Sequence, residues 1–515
     1  MKILFLYPNK EMVTRAPLGL AYMASHLKKA GHEVQLFDTT FIKCGDTEGE
    51  EALRANSLQV VNPDLTKYGL IGKEANVFLE FEKMIQSFNP DIVGMTAVDP
   101  NYEFGLEFLN FLKKNHPNIK TIMGGPVPTF IPDEVIANDC VDMICLGEGE
   151  EAIVELADAI QAGKDFIDIK NLWVKKEGKI YKNFLRPLQN LDNVLAPDTS
   201  IFDDRHLLRP LGGKVYRMAT IIWTRGCLFH CKYCANSNYI KRYEGLGRFY
   251  RIKDTKLLIK ELVDAKQKYN LEFLFFVDDI FPLHVPEILD EFCRLYKEQV
   301  DLPFSINLQP TLVTEEALKK VIDAGCVNIC VGLESGSPEI RKNVLGRIYE
   351  NEQVVKVFNL AHKYKIRSSS FNMIGLPSET KEDIFKTIEL NRQANPTSAT
   401  LTFFHPYRGC DLRELCIKEG YFNPDKKEDH ESLYRENSNL CLPQISNEEL
   451  RKLFNSFQLY FKLPKEFWPL IELSEKEGEF SKYLREEILK PAFKYVTRNE
   501  AVWDFSKKSS NCSNE

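Results

Sequence analysis

Thr224 to Asn236 reads TRGCLFHCKYCAN and sets Cys227, Cys231 and Cys234 in a C-x3-C-x2-C run. Three thiols this close have few structural uses, and the run is specific in a chain with 13 Cys. Thiolates on a short loop suit a metal centre with one position open, such as an iron–sulfur cluster held by three protein ligands instead of the usual four. The competing readings are a structural zinc site, for which His230 is awkwardly wedged between two of the cysteines, and buried unpaired thiols.

Outward from this loop, the patterns on its C-terminal side alternate six times between strand and helix. The expected strands are 220–224, 273–278, 304–308, 328–332, 369–374 and 400–404. The expected helices are 255–268, 285–297, 315–324, 351–364 and 382–393. The unit is a (βα)6 partial TIM barrel, in which active residues gather at the carboxyl ends of the strands. Those ends are all polar: the cysteine loop, Asp278 and Asp279, Asn307, Glu334 and Ser335, Asn372 with Gly375, and His405 to Arg408.

On the N-terminal side, strands expected at 3–7, 33–37, 92–96, 121–124 and 143–146 alternate with amphipathic stretches such as 18–29 and 102–114, the pattern of a parallel α/β sheet. The stretch 41–73 has no clear period and reads as loop with a short helix. Ligands of such sheets sit beyond the strand ends, where Gly19, Thr96, Gly124, Gly125, Gly147, Glu148 and Gly149 fall. The boundaries expected are 1–160 for this domain, 161–215 for a connector with a hairpin at 172–183, 216–420 for the barrel, and 421–515 for a helical region. In that last region Phe454, Phe457, Tyr460 and Phe461 form a core stripe, and the final SKKSSNCSNE is read as disordered.

Composition is that of a globular protein, 44% hydrophobic and 27% charged with net charge −7, so no basic excess points to nucleic acid. No run approaches a membrane span, and the apolar stretch Ile3 to Tyr7 is too short for a secretory leader, so the chain is expected in the cytoplasm.

The cysteine run, with Tyr233 before its last cysteine, resembles the signature of the radical S-adenosylmethionine (SAM) superfamily. The resemblance implies a [4Fe–4S] cluster on Cys227, Cys231 and Cys234 whose free iron is chelated by SAM, and reductive cleavage of SAM to a 5′-deoxyadenosyl radical. FFVDD (275–279) is similar to the family's strand-two motif, whose carboxylate meets the SAM amino group. GLESGS (332–337) is similar to the strand-four motif near the ribose or methionine, and NMIGLPSET (372–380) to the segment holding the adenine. APLGLAYMASHLKKAGHEV (16–34), MGGPVPT (123–129) and CLGEGEEAI (145–153) look like the flavodoxin-like (Rossmann-like) cobalamin-binding domain that precedes many such barrels. The chain has no D-x-H-x-x-G, so a histidine ligand to cobalt is not expected, and Val127 stands where a His is often seen.

The implied activity is methylation of an unactivated carbon. The alternatives are an oxidative cyclisation or rearrangement with the same cofactors, and a non-catalytic carrier or sensor. At strand six many relatives carry a run like PYPGTPL, whereas this chain reads HPYRGCDL (405–412). His405, Tyr407 and Arg408 are therefore candidates there, Tyr407 to pass a hydrogen atom or proton and Arg408 to meet a carboxylate or phosphate. The expected partners are a small-molecule, lipid, tetrapyrrole or peptide substrate and an external electron donor, a flavodoxin or ferredoxin.

Overall fold

The computed structural model describes residues 1–10, 13–44, 50–61, 63–424, 437–498 and 505. The expected disorder of SKKSSNCSNE falls outside the described residues.

The first sheet contains β1 (Lys2–Tyr7), β2 (Glu33–Asp38), β3 (Ile92–Thr96), β4 (Lys120–Gly124), β5 (Met143–Cys145), β6 (Leu172–Lys176) and β7 (Lys179–Lys182). Its order is β2-β1-β3-β4-β5-β6-β7, parallel through β5. The first five strands follow the flavodoxin-like 2-1-3-4-5 order, with the switch point between β1 and β3. The hairpin β6–β7 forms as expected, but it continues this sheet antiparallel to β5 and is not a free connector. Helices Leu18–Lys29 and Glu150–Gln161 pack on one face, and Val77–Phe88 and Asp99–Asn115 on the other.

The second sheet contains β8 (Leu208–Leu211), β9 (Lys214–Ile221) and, after a two-stranded ribbon of β10 (Thr224–Arg225) with β11 (Arg251–Ile252), β12 (Phe273–Phe276), β13 (Phe304–Leu308), β14 (Cys326–Glu334), β15 (Arg367–Ile374) and β16 (Ser398–Phe403). Six parallel strands run in the order β16-β15-β14-β13-β12-β9, with β8 antiparallel on β9. This is the half-barrel, and the aromatic layer of Phe276, Phe281, Phe292 and Phe304 fills the space beneath its helices.

Strand one differs from expectation. It ends at Ile221 because the backbone N–H groups of Trp223 and Thr224 are taken by the Asp278 carboxylate, at 2.8 and 2.5 Å. A side chain supplied by strand two thus ends the ladder and turns the chain into the cysteine loop.

Edge strand β16 would expose unpaired backbone groups. Gln59 accepts from Leu401 N at 2.9 Å and Gln458 donates to Ala399 O at 2.7 Å, so both sides of the molecule cover it. Gln59 follows the helix Glu50–Asn56 in the aperiodic stretch, which lies across the open side of the half-barrel. The helix Asn447–Lys462 buries Phe454, Phe457, Tyr460 and Phe461, as core packing predicts.

Candidate functional site

The cysteine loop leaves β10 and enters the helix Asn236–Arg242. It is laid over the barrel rim by backbone bonds from Lys232 N to Leu345 O (2.9 Å) and from Leu412 N to Lys232 O (3.0 Å). The three cysteines are half-exposed, and Leu228 between them is 43% exposed. Burial pushes Cys227 up to about 12 and Cys234 to about 11, with Asp279 and the neighbouring thiols adding to both, and burial also raises Cys231. Burial thus favours the neutral thiols, and binding a metal centre would displace their protons. Among the described residues no three His, Cys, Asp or Glu side chains close around a point as they do for one ion. Thiols arranged around a larger cluster need not do so.

The two aspartates of strand two have different surroundings. Asp278 is buried, and its Oδ1 accepts from Trp223 N, Thr224 N and Thr224 Oγ1, while Oδ2 is a buried atom with no hydrogen-bond partner among the described residues. Burial raises its carboxyl to about 7. Asp279 faces Cys227, Cys234 and Tyr239, with Asn236 as hydrogen-bond partner. Its side chain is accessible to solvent although protein surrounds it closely, and desolvation raises its carboxyl. Asn307 points into the barrel lumen with a buried Oδ1 that has no hydrogen-bond partner among the described residues.

At strand four, Glu334 takes φ +63°, rare for a residue with a side chain, where the β14–β15 register shifts. This turns its carboxylate onto Arg347, at 2.7 Å, and the same guanidinium donates to Tyr233 OH at 2.7 Å. A Cβ at residue 332 would lie 2.5 Å from Glu334 Oε1 and 3.0 Å from Arg347 Nη1, so the glycine leaves room for this pair where it stands. Arg347 also lies beside Cys231, the favourable charge nearest that thiol. Ser335 and Asn372, by contrast, are buried on the outer side: Ser335 lies against Thr387, and Asn372 donates to Ser370 Oγ and Thr400 O and accepts from Asn391. Gly375 N donates to Glu379 Oε2 at 2.7 Å, which shapes the turn after β15.

The first domain brings its strand ends to the same cleft. Glu148 accepts from Arg225 (3.1 Å) and Arg251 (2.6 Å), and Glu150 from Arg225 (2.6 Å). Gly147 has φ +68°, and a Cβ there would overlap the Tyr243 hydroxyl, which also receives the Glu148 N–H at 3.0 Å. Thr129 and Phe130 meet Tyr239. Gly124, Gly125, Gly149 and Thr96 cluster at the ends of β3 to β5. Among the described residues a Cβ at Gly19 would meet nothing within 4 Å, and Val98, just past β3, is 40% exposed. Open space and an exposed apolar side chain beside the β1–β3 switch point fit a large ligand.

The departure at strand six is a second bridge between the domains. Arg408 binds the buried Asp99 through its guanidinium and its backbone N–H, and Gly409 packs on Phe130. Arg408 is thus engaged by protein. His405 is buried with its ring edge-on to Tyr407, centroids 4.6 Å apart, and Tyr407 is half-exposed. Sequence reasoning missed Arg225, Arg251, Arg347 and Asp99. A buried arginine is a recognisable signal only once its partner is known.

Comparison with known proteins agrees with the two-domain fold. The B12 binding domain family matches residues 14–157 and the Radical SAM superfamily matches residues 221–390. The chain is similar to an uncharacterized methyltransferase of Pyrococcus horikoshii, 28% identical over 81% of this chain and 83% of that protein. It is also similar to the anaerobic magnesium-protoporphyrin IX monomethyl ester cyclase of Rubrivivax gelatinosus, 25% identical over 83% of this chain and 72% of that protein. In fold it resembles the radical S-adenosylmethionine methyltransferase TsrM of Kitasatospora setae, with TM-score 0.62 and 16% identity over 97% of this chain and 99% of the other.

Proposed function

This chain belongs to the radical SAM superfamily, in the group with a B12-binding domain ahead of the barrel, and on that premise we propose that it methylates an unactivated carbon of a small-molecule substrate. When bound, the [4Fe–4S] cluster supplies the electron that splits SAM to a carbon radical, and cobalamin supplies the methyl group. One observation carries the reading: the cysteine loop and the strand ends of the first domain share one cleft, tied by the buried Arg225–Glu148 and Arg225–Glu150 pairs.

Cys227, Cys231 and Cys234 hold the cluster. Asp279 accepts the SAM ammonium, because it faces the thiols and retains solvent access, while Asp278 braces the loop and keeps Oδ2 in reserve. Asn307 offers its buried Oδ1 from the lumen, and Glu334, held by Arg347, presents its remaining oxygen at the rim. Ser335, Asn372 and Gly375 support the rim from behind. Gly19, Thr96, Gly124, Gly125 and Gly149 border the cobalamin, with Gly147 and Glu148 closing the cleft against the barrel. Tyr407, backed by His405, stands at the strand-six rim to pass a hydrogen atom or proton.

The external electron donor is a flavodoxin or ferredoxin, and the compartment is the cytoplasm. The twelve described cysteines are all free thiols, which suits a reducing compartment. No described helix is long and apolar enough to cross a membrane.

The test is anaerobic reconstitution with iron, sulfide, cobalamin and SAM under reduction. Methyl transfer yields S-adenosylhomocysteine together with 5′-deoxyadenosine. Deoxyadenosine without S-adenosylhomocysteine while substrate is consumed would instead support a cyclisation or rearrangement, the reading that likeness to the magnesium-protoporphyrin cyclase favours. No SAM cleavage under any reductant would favour a carrier.

A further inference from the structure

The inner face of the half-barrel is open along its length. Phe275, Asn307, Gly332, Phe371 and Thr400 are half-exposed although each sits in a paired strand, while the alternate residues are buried, and Val277, just past β12, is half-exposed as well. At its lower end this face widens into a cavity of about 190 Å3, too small for a whole ligand and suited to one end of one.

Cationic side chains from separate parts of the chain line that cavity: Arg15 after β1, Arg209 on β8, Arg367 at the start of β15 and Lys462 at the end of the helix Asn447–Lys462. Arg54 lines it too, paired with the lining acid Glu51 at 3.0 Å. Arg367 is braced from below by Asn328 Oδ1, Ser369 Oγ and Ser398 Oγ at 2.8 to 2.9 Å. Arg15 belongs to the first domain, yet its charge reaches Cys330 on the barrel floor, as does that of Arg367. Gathering like charges within low-dielectric walls focuses a positive field, and guanidinium groups match the oxygens of phosphate and carboxylate. The rest of the lining is mixed: Met218, Phe275 and Phe371 give an apolar path toward the barrel interior and Leu58 one from the covering stretch, among neutral polar groups such as Ser369, Ser398 and Gln458.

We propose that this cavity binds the anionic end of the substrate, a phosphate or carboxylate on an apolar body that runs up the lumen to the cysteine rim. Cys330 and Glu334 are four residue steps apart along β14, so the charged end and the reacting carbon lie roughly 13 Å apart. This assignment rests on the functional reading above for the position of the reacting carbon.

The experiment is calorimetric titration of the anaerobically reconstituted full chain with octyl phosphate, octanoate and octanol. At least one anion is expected to bind tenfold or more tighter than octanol. Octyl phosphate above octanoate identifies a phosphate end, and the reverse order a carboxylate end. Arg15→Met and Arg367→Met each weaken the preferred anion by about tenfold, with iron content and SAM affinity unchanged. Because Arg15 is exposed, its variant tests the idea even if Arg367→Met fails to fold. Octanol binding as tightly as both anions, or an undiminished anion affinity in Arg15→Met, overturns the proposal. Deoxyadenosine formation without anion selectivity would remove this inference alone, and anion selectivity without SAM cleavage would remove the earlier reading alone.

Discussion

Arg225 and Glu148 meet at 3.1 Å across the junction of the two domains, the arginine lying just upstream of Cys227 and the glutamate just past the Gly147 turn. Arg251 donates to the same carboxylate from the paired ribbon strand, and Glu150 takes the other arm of Arg225. Each charge is largely withdrawn from water, so the four hold the cysteine loop to the first domain's strand ends as a unit.

Removing one member leaves a buried charge without its counterion. Arg225→Met is expected to destabilise the protein by roughly 3 kcal/mol, read from denaturant unfolding. The double variant with Glu148→Gln should lose less than the sum of the singles, since the residues share one network. Additive losses would show that the pair does not act together.

Iron content distinguishes the ligands from a nearby thiol. Cys227→Ser, Cys231→Ser and Cys234→Ser should each lose most of the iron and the visible absorbance of the reconstituted protein. Cys410→Ser should keep both, because Cys410 Sγ donates to Tyr233 O at 3.1 Å and is raised by burial to about 12. Iron retained in all three single variants would sink the cluster assignment.

Glu379 gives a pH signature. Burial raises its carboxyl from 4.5 to about 8, so the folded state binds a proton that the unfolded state has released between those values. The stability contributed by this proton is fully present below about 4.5 and is lost as pH rises toward 8. Glu379→Gln keeps an oxygen for Gly375 N and Leu376 N and should flatten this part of the stability profile. Unfolding curves at several pH values check it, and an unchanged slope would contradict it.

Gly147 and Gly163 share a backbone conformation, at φ +68° and +65°, but differ in surroundings. Gly163→Ala should cost about 1 kcal/mol, from left-handed backbone strain in open space. Gly147→Ala should cost about 1–3 kcal/mol more, because its methyl must displace Tyr243. Equal losses in denaturant titrations would mean the domains yield freely at that contact.

Much of the architecture was legible because it depends on local regularities. The period of two in β1 to β5 and in the barrel strands, and the helical faces between them, gave element positions close to those observed. The expected end of strand one was misplaced because a distant carboxylate, Asp278, takes the backbone donors that alternation alone would assign to a strand. Ser335 and Asn372 read as rim residues by position, but the register shift at Gly332/Glu334 and the outward side of β15 turn them away from the lumen. Arg408 read as a substrate contact, and its partner Asp99 lies in the other domain.

The sequence by itself determined the cysteine loop, the two α/β units and their order, since ligand spacing and hydrophobic period act over a few residues. Only the tertiary structure decided which acid faces the thiols, which glycines serve contacts between the domains, and that Arg15, Arg209, Arg367 and Lys462 converge on one cavity. Such relationships are set by how two sheets pack, and that packing joins residues hundreds of positions apart through forces that leave no local pattern.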